Sequence, residues 1–155
     1  MIRIRGTLLP EQILLNITAH SREEALRQVA ESLRSDPRIS DWQELWGTLC
    51  RNEAAGKVNL QHGLTMPHVR TSAVTKMLMA FGRLTQPLQV KDCPLQFVVL
   101  VGIPRAMDAE YLRLVGTLMR VFRNEKLREK LLYAEVPADV IKIFEKGETE
   151  IGTEQ

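Results

Sequence analysis

Proline at position 67 constrains this chain more than any other single residue. It stands in Gly63-Leu64-Thr65-Met66-Pro67-His68-Val69-Arg70, at the end of a short apolar run. Proline fixes its own φ and has no backbone N–H to give to a sheet ladder. A strand that runs into Met66-Pro67 is therefore expected to stop there and to present His68 at its edge. An imidazole held in this way is rigid yet reachable. Whether it does chemistry or only ends a strand depends on the rest of the chain.

Helical and strand patterns alternate around that segment. Leu8 to Ile17 is an apolar entry segment, with a strand expected over Ile13–Ile17. Ser21-Arg22-Glu23-Glu24 has the form of a capping box, with Ser21 as N-cap and Glu24 three residues on. Ala25, Leu26, Val29, Ala30 and Leu33 then share one helical face, and Asp36-Pro37 ends the element. Ser40-Asp41-Trp42-Gln43 is a second capping box, before a helix whose Trp42, Leu45, Trp46 and Leu49 lie together as core. Gly56 to Gly63 lacks a helical period and is expected to be a loop.

Two strands are expected next, over Lys76–Leu84 and Leu95–Val101, with Pro87 and Asp92-Cys93-Pro94 as punctuation between them. The second is almost unbroken in apolar residues, the mark of burial on both faces. From Asp108 a helical period returns through Leu112, Val115, Leu118, Met119 and Phe122. Further helices follow from Glu125 to about Tyr133 and from Pro137. The expected architecture is a single α/β domain over residues 1–146, a mixed sheet with helices on both faces, followed by a polar, frayed tail over 147–155.

Composition removes several functions. The 155 residues suffice for one domain with a core. A net charge of +2 is too small to argue for nucleic acid or an anionic membrane surface. No window approaches the roughly 18 uncharged apolar residues of a membrane span. The N-terminus is not followed by a signal-peptide core. Cys50 and Cys93 lack CxxC spacing, which gives neither a disulfide framework nor a zinc site and makes a reducing cytoplasm the default. There is no Walker loop, no G-x-G-x-x-G and no G-x-S-x-G, so no cofactor is implied. His62 and His68 are six apart, about 20 Å in an extended chain, which argues against a shared metal.

His68 as a lone nucleophile is the remaining option. With an ordinary pKa of about 6.5, its imidazole is mostly neutral near pH 7. It can attack phosphorus and carry a phosphoryl group as a phosphoramidate, provided nearby donors meet the phosphoryl oxygens. Thr65, Arg70, Thr71 and Ser72 are the nearest donors in sequence. The alternative is a histidine bonded to backbone at a strand edge, without chemistry.

Gly63-Leu64-Thr65-Met66-Pro67-His68 resembles the G-x-A-[IM]-P-H segment of the mannitol/fructose-type EIIA domains of the bacterial phosphotransferase system, a group that includes the nitrogen-regulatory EIIA proteins. The resemblance runs from Leu8 to about Glu145. It includes Leu8-Leu9-Pro10-Glu11-Gln12-Ile13, Ser21-Arg22-Glu23-Glu24-Ala25-Leu26, Asp92 before the buried strand, and Tyr111 to Leu118 after it. It implies a phosphocarrier. His68 would accept a phosphoryl group from HPr or an HPr-like protein and pass it to an EIIB domain, or serve a regulated target protein in a phosphorylation-dependent way. An apolar rim for the docking donor is then expected, with Leu64, Met66 and Val69 as candidates.

The chain departs from the family at the supporting residues. Tyr111 stands at the place of the family's second histidine. Counting back from His68 puts Asn52 and Glu53 where the family has Arg-Glu, with Arg51 next door. Lys57-Val58-Asn59-Leu60-Gln61-His62 replaces a small Gly/Ser/Thr-rich loop, and His62 could reach His68 only if the chain folds back at Gly63. These differences set a second expectation beside the first: a regulatory or interaction domain that keeps the fold with impaired transfer. One domain's length without an EIIB or membrane domain favours the regulatory group.

Overall fold

A computed structural model describes residues 3–56 and 60–153, the last five of these by their backbone. The loop positions 57–59 and the tail residues 154 and 155, both covered by the expectations above, lie outside the described residues.

The sheet is built on the longest hairpin of the chain. β4 (Leu78–Val90) and β5 (Cys93–Ile103) pair antiparallel, from Leu78 opposite Gly102 to Val90 opposite Cys93. β1 (Leu8–Ile17) lies parallel to β4 on one side. On the other side β5 carries two short parallel segments, β2 (Leu64–Thr65) and β3 (His68–Arg70). The result is a five-stranded mixed sheet in the order β1-β4-β5-β2, with β3 beside the far end of β5.

Both faces of this sheet are covered, as the continuous apolar run of β5 requires. α2 (Arg22–Glu31) and α3 (Trp42–Ala55) pack Ala25, Leu26, Val29, Leu45 and Leu49 against Leu78, Ala80, Val98 and Leu100. α4 (Asp108–Arg123), α5 (Glu125–Tyr133) and α6 (Pro137–Thr153) cover the other face with Leu118, Phe122, Leu131 and Phe144 against Phe81, Phe97, Val99 and Val101. A single turn, α1 (Ile4–Thr7), leaves helical angles at Arg5 and Gly6 and leads into β1.

The structure adjusts several boundaries. β1 begins at Leu8, five residues before the expected start. The hairpin continues through Pro87 and Pro94, the expected punctuation; a register shift between Arg83 and Leu88 lets the ribbon extend beyond the rest of the sheet, where proline costs no ladder bond to a further strand. Ser21 caps α2 as expected, accepting from the Glu24 N–H at 3.1 Å, while the Glu24 carboxylate reaches the His20 N–H at 2.6 Å. The cap of α3 is Asp41, not Ser40. Asp41 accepts from the Glu44 N–H, and Ser40 is already bonded through its N–H and hydroxyl to the Ala73 carbonyl. α6 runs on past residue 146 to Thr153; Gly147 is buried and the Glu148 carboxylate accepts from the Ile4 N–H at 2.9 Å.

Gly82 sets how closely α2 can lie on the sheet. A Cβ there would come within 2.5 Å of Ile17 Cδ1 and Val29 Cγ2. Val29 is β-branched and stiff, so it cannot swing aside cheaply. Gly82→Ala is expected to lower stability by about 1–3 kcal/mol, read as a lower midpoint with unchanged slope in urea denaturation.

Candidate functional site

Pro67 divides the edge strand and does not end it. β2 stops at Thr65, and the chain resumes pairing with β5 at His68, opposite Val101. Pro67 has no N–H, but its carbonyl accepts from the Val101 N–H at 3.1 Å, which bridges the gap. Along β3 the side chains alternate: Val69 is fully buried, while His68 and Arg70 are exposed on the same side.

One flank of His68 is built by α4. The Tyr111 ring packs against the imidazole with centroids 5.3 Å apart and planes tilted by 32°. Tyr111 sits in the first turn of α4, its N–H bonded to the Met107 carbonyl. In the same turn Asp108 pairs with Arg70 at 2.7 Å, so β3 and α4 are joined beside the histidine. Both partners are substantially exposed, at 42% and 69%, which makes this a weak, salt-screened pair.

The other flank is a cleft of about 200 Å³, lined by His68, Pro67, Met66, Thr65, Arg22, Leu49, Asn52, Glu53 and Gly56. Thr65 is buried, and its Oγ1 accepts from Arg22 Nε at 3.1 Å and Nη2 at 2.9 Å. The same Nη2 donates to Glu53 Oε1 at 3.0 Å. Arg22 is 8% exposed, the one cation buried among the described residues. Sequence reasoning passed over it, although the signal was present. Arg22 lies at i with Ala25, Leu26, Val29 and Leu33 at i+3, i+4, i+7 and i+11, so it is a charge set in an apolar stripe.

The other expected residues fall in different places. Asn52 is exposed and lines the cleft. Arg51 turns back along α3 to donate to Thr48 Oγ1 at 3.0 Å and is not among the lining residues. Thr71 is buried, and its hydroxyl accepts from the Ala73 N–H in the turn after β3. His62, with φ of 57° before Gly63 at 75°, lines a separate cleft with Cys93, Phe97 and Tyr133 near the start of β5. Of the expected apolar rim, Leu64 and Val69 are core and Met66 is half-buried; Leu112, 68% exposed beside Tyr111, is a large apolar side chain that faces solvent on α4.

Burial chiefly, and then the positive charge of Arg70, hold the His68 pKa below its ordinary value, while Glu53 acts in the opposite sense. Burial also raises the Tyr111 pKa, so its hydroxyl stays protonated near pH 7 and can donate. The arrangement therefore presents a neutral imidazole with an exposed edge, a phenol and a cation on one flank, and a buried cation on the other.

The chain belongs to the family described as "Phosphoenolpyruvate-dependent sugar phosphotransferase system, EIIA 2", which it matches over residues 7–147. It is 28% identical over 146 residues to the 2-O-alpha-mannosyl-D-glycerate-specific EIIABC component of Escherichia coli K12. That match covers 90% of this chain but 22% of the relative, so the chain spans less than a quarter of that protein. A fructose-specific EIIA component of Haloferax volcanii is 27% identical over 84% of this chain and 87% of its own length. Among solved structures, the nitrogen regulatory protein IIA-Ntr of Neisseria meningitidis superposes with a TM-score of 0.81 at 21% identity, over 91% of this chain and 98% of that one. The Escherichia coli mannitol enzyme IIA, in its complex with the phosphorylated mannitol enzyme IIB, gives 0.73 at 18% identity, over 88% of this chain and 95% of that one. The fold is that of an EIIA domain. No helix among the described residues is long and apolar enough to cross a membrane.

Because Arg70 disfavours the imidazolium, Arg70→Gln is expected to move the His68 titration midpoint upward, toward the ordinary value. The imidazole proton shifts followed by NMR across about pH 4–8 test this; an unchanged or lower midpoint contradicts it.

Proposed function

We propose that this domain is a phosphohistidine carrier in which His68 accepts a phosphoryl group from HPr or an HPr-like protein. The observation that supports it is the placement of His68: partly exposed at the sheet edge, registered to Val101, and biased toward its neutral form by the partial burial of its ring and by Arg70. In the transfer, the lone pair of an unprotonated ring nitrogen forms the new P–N bond as the donor's P–N bond breaks. The electron pair of the broken bond returns to the donor imidazole. An imidazolium has no such lone pair, so the depressed pKa keeps the reactive form dominant at neutral pH. The Tyr111 hydroxyl and Arg70, with Thr65 in the cleft, are the groups we assign to the phosphoryl oxygens on the two flanks.

The phosphorylated domain then has two uses. It passes the group to an EIIB domain, or it binds a regulated target according to its phosphorylation state. Mixing the phosphorylated form with a purified EIIB domain separates them, since only the first use returns the domain to its unmodified mass.

A second reading is a domain with impaired transfer that acts by binding alone. The exposure of Arg70 favours it, because a cation screened by water and salt gives less to a phosphoryl group. Asn52 and Tyr111, at places where the family carries charged or titratable partners, favour it too.

Intact-mass analysis after incubation with phosphoenolpyruvate, Enzyme I and HPr decides between them. One phosphoryl group should be gained, and His68→Ala should abolish the gain. Labelling that survives this substitution removes His68 from the role, and a wild-type chain that gains nothing favours the second reading.

The rate of uptake should also follow the protonation of His68. It is expected to be flat through neutral pH and to fall only below the ordinary histidine pKa of about 6.5, since the folded-state value lies lower. Stopped-time labelling between pH 5 and 8 (about the histidine range) reads this; a decline that sets in above neutrality would contradict it.

A further inference from the structure

Arg22 is difficult to explain as a packing residue alone. Burying a guanidinium costs free energy unless the charge is paired and hydrogen-bonded. The site provides both, with Glu53 for the charge and Thr65 Oγ1 for two N–H groups. These bonds run through Nε and Nη2 alone, whereas a guanidinium offers five N–H donors in a planar fork. That fork geometry matches the oxygens of a phosphoryl group.

The surroundings point the same way. Arg22 lines the cleft that His68 also lines, and among the described residues no other Lys or Arg does. Glu53, in that cleft too, is close enough to influence His68, and an unbalanced carboxylate there would repel an incoming phosphoryl dianion. Arg22 removes that repulsion by pairing with Glu53. Its helix begins at the residue itself, so the positive end of α2 adds to the guanidinium charge.

We propose that Arg22 is the anion-binding cation of the His68 cleft, its guanidinium holding the oxygens of the phosphoryl group that His68 carries. The proposal rests on the reading of His68 as acceptor. In this chain the cation reaches the cleft from the first turn of α2, while Asn52, exposed at the cleft's rim on α3, carries no charge. The Arg22–Glu53–Thr65 set then both fixes the segment before Pro67 and receives the transferred group.

Charge restoration tests this. Arg22→Gln should slow phosphoryl uptake on the order of 100-fold and shorten the lifetime of the labelled form. Adding Asn52→Arg should restore most of both, since it places a cation on the same cleft from the other helix. A structural role would not be rescued in this way. Uptake and lifetime unchanged in Arg22→Gln overturn the proposal, and so does a double variant no better than the single one. Titration of the wild-type chain with inorganic phosphate gives a separate readout. The Arg22 Nε–H resonance should shift as phosphate binds, and no shift at saturating phosphate overturns the proposal even where Arg22→Gln does not fold. If the wild-type chain takes no label, the reading of His68 falls, and the phosphate titration still decides for or against Arg22.

Discussion

The hydrogen bond from the Val101 N–H to the Pro67 carbonyl is the contact on which the site depends. Proline takes one donor out of the edge ladder, and a strand that merely lost pairing there would leave His68 on a loose connection. Instead the carbonyl of the same residue keeps the edge attached to β5, and pairing resumes at once with His68 opposite Val101. Val101 lies in the buried C-terminal half of β5, held by β4 on its other side through Met79. The histidine thus takes its position from a buried, doubly paired part of the sheet while its ring remains at the sheet edge. Rigid elements hold reacting groups more precisely than loops do, and precise placement is a large part of what a transfer site needs.

Everything else around His68 comes from elements that the sheet carries. α4 brings Tyr111 and Asp108 from one face, and α2 and α3 bring Arg22 and Glu53 from the other. The two flanks differ in kind. Arg70 and Asp108 are exposed, so their attraction is weakened by water and salt. Arg22 is buried, with one carboxylate and one hydroxyl supporting it, and charges in that setting act more strongly on their neighbours. An anion arriving at His68 would therefore find its stronger cation in the cleft and its weaker one at the surface.

The fold was legible where the pattern was periodic. The apolar stripes of α2 and α3 and the nearly unbroken run of β5 point to helices on both faces of a mixed sheet, whereas α4 buries Leu114, Leu118, Val121 and Phe122 and leaves the expected Leu112 exposed. Pro87 and Pro94 misled because proline excludes central strands, not a hairpin that projects beyond the sheet. Ser40 misled because its capping atoms were engaged by Ala73, a partner 33 residues away that no local motif reveals. At the site, His68 was visible from its proline and Tyr111 from its place in a family pattern. Arg22 was not, because a capping-box sequence explains its neighbours so well that the residue itself passes as an ordinary helix start. Its partners, Glu53 and Thr65, lie 31 and 43 residues away.

This distance also accounts for how the site can change without disturbing the fold. α2 and α3 both rest on the same sheet face, and the first turn of one and the last turn of the other border the same cleft. A charge can enter that cleft from either helix with the carboxylate of Glu53 as its counter-ion. On the proposed assignment Arg22 supplies the cation that a neutral Asn52 does not: Glu53 left unpaired beside a phosphoryl group would place like charges together in a partly dry pocket. The position of Arg22 and the identity of Asn52 are in this sense one feature, set by the charge of a single carboxylate.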